Sequence, residues 1–144
     1  MSDITTSVGV LRAILEAFVP TGLPTLPRYY ANSDTAPTLD NAPNGFIYSE
    51  NRIQDERPVG FGNTGQMVRR DFGEFLIYVY VPRGTKVGTA EAYATQLRAA
   101  FPVQLGSGVF VTRKLMDAGQ MIDGPNGREY ATGVRIEWFA DRLE

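Results

Sequence analysis

Apolar and polar positions alternate along this chain with two different periods, and the change of period marks its elements. The longest apolar run, Phe72 to Pro82, places Phe75, Ile77, Val79 and Val81 on one side and Glu74, Leu76, Tyr78 and Tyr80 on the other. β-Branched and aromatic residues at period two, closed by Pro82-Arg83-Gly84, predict a central strand. Near the start, Ile4, Val8, Leu11, Leu15 and Phe18 recur at helical spacing, widened by Ile14 and stopped by Pro20, which predicts a helix over 3–19. A second helix is predicted over 90–101, with Ala90, Tyr93, Ala94, Leu97 and Phe101 on one face, Thr89 as its N-cap and Pro102 as its stop.

Three further strands follow from the same pattern. Phe46 to Ile53 opens after the Asn44-Gly45 turn signal and should pair antiparallel with the central strand. Val109 to Met116 and Gly133 to Phe139 flank the turn cluster Asp123 to Gly127, predicting a long hairpin. Within it Val134, Ile136 and Trp138 should point inward, with Arg135 and Glu137 a surface pair. The expected fold is therefore α+β: one mainly antiparallel sheet of about four to five strands carrying two helices, in the order α-β-β-α-β-β. The 144 residues suit a single domain, 1–144.

Two segments lack period. Residues 20–43 carry five of the nine prolines and read as an irregular arm, with either a short strand near Arg28-Tyr29-Tyr30 or a functional extension. Tyr29 and Tyr30 are candidate anchors of that arm, to the body or to a neighbouring subunit. Residues 55–70 read as a long, charged, glycine-rich loop. Gly60-Phe-Gly62-Asn-Thr-Gly65 matches a dinucleotide fingerprint in letters only: no helix follows, and no acidic residue stands near position 85. The expectation is a loop that orders against a partner, with Phe61 as a candidate contact. Arg69 and Arg70, beside Asp71, read as a solvated hairpin shoulder, or alternatively as an intersubunit ion-pair site.

Composition narrows the chemistry. The chain has neither cysteine nor histidine, which removes disulfides, thiol nucleophiles, the commonest general base and most zinc ligand sets. No acid pair has catalytic or metal-ligand spacing, so no catalytic residue, no cofactor and no metal is expected, and the chain reads as not an enzyme. A net charge of −2 argues against a protein whose main task is gripping nucleic acid phosphates. There is no apolar run long enough to span a membrane, and no signal peptide is evident at Met1-Ser-Asp-Ile. Twelve of the fourteen basic residues are arginine, the cation favoured at protein interfaces.

Ala42-Pro-Asn-Gly-Phe46, the charged glycine-rich loop, Gly73-Glu-Phe-Leu-Ile-Tyr-Val-Tyr-Val-Pro-Arg-Gly84, the helix from Ala90 to Phe101 and the closing hairpin together resemble the small phage tail-terminator-like proteins. The resemblance runs from about residue 4 to 140. It implies an α/β sandwich that assembles as a hexameric ring, caps the tail tube at its head-proximal end and meets the head-tail connector or head-closure protein. It further implies a virion protein of the tail and neck, assembled in the bacterial cytoplasm, with DNA only passing through the lumen and no membrane contact. The alternatives are another neck protein, of the head-closure or head-tail joining kind, or a small ligand-binding α/β domain with a deep pocket.

Overall fold

A computed structural model describes residues 4–31, 42–61, 65–82, 84–85, 88–117, 119–124 and 127–143. Helix α1, Ile4–Ala17, is followed by strands β1 (Arg28–Tyr30), β2 (Phe46–Phe61) and β3 (Met67–Pro82). Helix α2, Thr89–Ala100, precedes β4 (Gln104–Gly106), β5 (Val109–Met116), β6 (Gln120–Gly124) and β7 (Gly127–Leu143). Six strands run across one curled sheet in the order β1-β2-β3-β7-β5-β4, and β6 pairs with β7 further along. β1 lies parallel to β2, and every other pair is antiparallel.

This corrects the expected four-to-five-stranded sheet and its element order. The short strand near Tyr29 exists, β4 and β6 are added, and the sheet is mixed rather than simply antiparallel. The larger correction concerns length. β2 and β3 are 16 residues each and β7 is 17, so most of the expected loop over 55–70 is the far half of a β-hairpin. Asp55 pairs with Phe72, Arg57 with Arg70 and Phe61 with Met67, after a bulge between Ile53 and Asp55. Period two is invisible there because neither face of β2 is buried: positions 52–60 are exposed except for the half-buried Asp55. Alternation marks a strand only where one face meets a core.

One face of the sheet carries both helices. Leu11 and Leu15 from α1 and Ala90, Tyr93, Ala94 and Leu97 from α2 are buried over Phe75, Ile77, Val79, Val134, Ile136 and Trp138. The apolar stripes read from the sequence are those the helices bury. Gly88, not Thr89, caps α2, in the left-handed region and without a side-chain bond. Tyr93 donates its hydroxyl to the Pro24 carbonyl, and Gln96 brackets Thr21 by accepting from its N–H at 2.7 Å and donating to its C=O at 3.0 Å. These bonds tie the first part of the arm to α2, which is why a proline-rich stretch lies closely on the body. Gly45 turns the chain into β2 at a φ of 111°, where an added Cβ would meet the Tyr80 carbonyl oxygen at 2.2 Å.

The opposite face carries no helix among the described residues. Its top is an aromatic cluster in which Phe46 stacks on Tyr80 at 4.6 Å and Tyr29 meets Phe46 edge-on at 6.0 Å. Below it the rows are mainly charged.

Candidate interaction surface

The strongest candidate surface is the far half of the β2–β3 hairpin together with the helix-free face that continues from it. Phe110, Phe139 and Phe72 follow one another across β5, β7 and β3 in register. Phe110 stacks on Phe139 at 5.2 Å, and Phe72 tilts toward Phe139 at 6.3 Å. Two guanidiniums lie over this row, Arg70 at 4.3 Å from the Phe139 ring and Arg57 at 5.2 Å from that of Phe72. Ring faces attract such cations, and the arginine stems cover apolar surface that would otherwise meet water.

Arg70 also makes a fork to Asp141, with Nε donating at 2.7 Å and Nη2 at 2.9 Å. It is therefore neither a freely solvated shoulder residue nor an unfilled intersubunit ion-pair site: its carboxylate lies within the chain, on the neighbouring strand. Arg69 is half-buried in β3 opposite Arg142 of β7, pointing to the other face. Tyr30 donates to Glu16 of α1 and receives Arg12 over its ring at 4.9 Å, while Tyr29 is buried in the aromatic cluster. Both tyrosines anchor β1 to the body of their own chain. Burial and the Glu16 carboxylate push the Tyr30 phenol well above its ordinary value. The backbone of Phe61 ends β2 opposite Met67, but its side chain and residues 62–64 lie outside the described residues. The five sequence candidates are thus not brought to one spot.

The remaining acids of this surface are committed to arginines. Arg113 forks onto Glu137 at 2.8 and 2.9 Å, and this bond holds the Glu137 carboxyl below the ordinary range. Arg135, expected beside Glu137 as its partner, instead approaches Asp117 at 3.8 Å and Glu74 at 4.0 Å. The strand pairing explains this: Glu137 lies directly opposite Arg113, and two residues along one strand are farther apart than neighbours across it. On the helix side, Arg142 donates to buried Asp71 at 3.0 Å and to Glu56 at 3.0 Å. Desolvation nevertheless raises the Asp71 carboxyl above the ordinary aspartate value, against the pull of Arg142. Sequence reasoning missed Phe110, Phe139, Arg57 and Asp141 because each pairing spans strands far apart in the chain.

Among the described residues, two depressions open to solvent stand out. One of about 480 Å³ lies among Pro24, Pro43, Pro82, Thr85 and Tyr93, and one of about 600 Å³ lies between the ends of α1 and α2. Neither is the deep pocket with converging polar groups that a small-molecule site needs. Among the described residues no group of three or more acids is placed to hold a metal ion, and no helix is long and apolar enough to cross a membrane.

No family model matches the chain, and no curated protein matches it. Solved structures are similar to it; one has a TM-score of 0.58 and 20% identity, over 92% of this chain and 94% of that one. At this identity the likeness concerns the fold alone.

Proposed function

We propose that this chain is a structural virion protein, a tail terminator that forms a ring at the head-proximal end of a phage tail tube and joins it to the head connector. The observation that carries the reading is the β2–β3 hairpin, whose far half is exposed on both faces of β2 while β3 stays paired with β7 as far as Val68. The far half is three strands wide with β2 at its edge, and an exposed edge strand is suited to pairing with a neighbour. A closed ring requires two different surfaces on each subunit, and an arm at one edge of the sheet supplies one of them. The acids and arginines of the surface are spent on holding the strands together, as in a protein whose product is an assembly. In this role the partners are further copies of the chain, the tube protein and the connector or head-closure protein, with DNA only passing through the lumen. The chain works in the neck of the virion after assembly in the bacterial cytoplasm. Another neck protein is the second reading, since the same ring symmetry serves head closure.

The test is molar mass by light scattering across protein concentration and salt, with and without purified tail tubes. A sixfold assembly, with a lumen in negative-stain images, supports the ring. A strict monomer at all concentrations that also ignores tail tubes overturns it. A tail-tube gene directly downstream would favour the terminator over head closure.

A further inference from the structure

Among the described residues, the outer edge of β2 is free beyond β1 and that of β5 beyond β4, on opposite sides of the sheet and overlapping in height. On β2, β1 takes the outer edge only as far as Ser49, where Ala31 donates to the Ser49 carbonyl at 2.9 Å. Glu50–Phe61 has no outer neighbour among the described residues, and the first bulge, after Ile53, leaves Glu50–Ile53 as the regular window of that edge. On β5, β4 and Val103 take the edge up to Val111, and a bulge separates Val111 from Arg113. Beyond it, Arg113–Met116 has no outer strand among the described residues. The register is continuous between the windows: Arg52 faces Glu74, Glu74 faces Glu137 and Glu137 faces Arg113. Both windows are four residues long, and each is bounded by a bulge on the same side.

The geometry points to a head-to-tail β-pairing in which Glu50–Ile53 of one copy lies antiparallel to Arg113–Met116 of the next. This rests on the ring reading above and names the surfaces that close it. Polarity supports it. β2, β3, β7 and β5 alternate in direction, so the two outer strands run oppositely. A rotation about an axis along the strands then brings β5 of one copy beside β2 of the next with the alternation unbroken. A two-fold dimer would instead set β2 against β2. Free strand edges are the standard template for pairing with another chain. The bulges and Pro58 restrict the ladder to a short window, which keeps each contact weak until a ring closes. Closed sheets need tilted, staggered strands. A stagger of two residues from level places Arg52 opposite Leu115 and Ile53 opposite Lys114, so the two windows still face each other.

Because the chain has no cysteine, paired cysteines read this contact directly. Arg52→Cys and Leu115→Cys in one chain lie three strand spacings apart, roughly 14 Å, too far for a disulfide within a copy. Mild oxidation of the double variant at high concentration should give a ladder of covalent multimers on a non-reducing gel, and each single variant should not. Ile53→Pro removes an outward N–H without breaking a bond to β3. It should leave the melting temperature nearly unchanged and weaken assembly by about tenfold or more. If rings form but the double variant gives no ladder and Ile53→Pro assembles normally, the pairing is wrong and the ring reading stands. A dimer from Arg52→Cys alone would show two-fold pairing of β2 and overturn the proposal. A monomer under every condition, tail tubes included, removes both.

Discussion

The indole of Trp138 occupies the space that a side chain at Gly73 would need. The two residues face each other across β7 and β3, and a Cβ on Gly73 would stand 2.5 Å from Cζ2 of the ring. The indole is almost wholly buried and donates from Nε1 to Oδ1 of Asn51 on β2 at 3.1 Å. Three strands are thereby locked at the level where the hairpin leaves the core.

Gly73→Ala should therefore destabilise the fold. The obstruction includes the Arg52 carbonyl at 2.8 Å as well as the ring, so flexible side chains alone cannot relieve it. Overpacking of this kind costs about 1–3 kcal/mol. Urea unfolding followed by Trp138 fluorescence reads it, since this is the only tryptophan. An unchanged midpoint would mean that the indole has another place to go.

The Arg70–Asp141 fork should be worth more than an ordinary surface pair, because Phe139 holds the guanidinium in place. A double-mutant cycle with Arg70→Ala and Asp141→Ala should give a coupling of about 0.5–1 kcal/mol, and Arg70→Lys should recover little of it. Additive single losses would show that the pair contributes no net stability.

Two carboxyls should titrate with opposite effects on stability. Glu137 is held below its ordinary value of 4.5 by Arg113, so its contribution is present above that value and is lost as pH falls through the lowered one. Asp71 is raised above 3.8, chiefly by burial. Between 3.8 and the raised value the folded chain holds more protons than the unfolded one, so its contribution falls as pH rises through that window. Unfolding free energies of the native chain, Glu137→Gln and Asp71→Asn between pH 3 and 7 should reveal the two slopes separately. An Asp71→Asn variant with the pH dependence of the native chain would contradict the second.

The local code of this chain was legible wherever a single core face imposes it. Leu11 and Leu15, the Ala90-Tyr93-Ala94-Leu97 face, the Phe75-Ile77-Val79 row and the Val134-Ile136-Trp138 row are buried as their spacing predicts. Burial repeats with the period of the element, so the residues record it. The far half of the hairpin was not legible. Asp55, Glu56 and Arg57 sit in a strand exposed on both faces, held by pairing with Phe72, Asp71 and Arg70 rather than by a core. Partners such as Arg70 and Asp141, or Arg113 and Glu137, are brought together only when β7 lies between β3 and β5. Sequence by itself determined the helices, the central strands and their buried faces, because those depend on period and turn chemistry. Tertiary structure alone decided the strand order, the arginine–aromatic face and the free edges, because these depend on contacts between residues that no local pattern links.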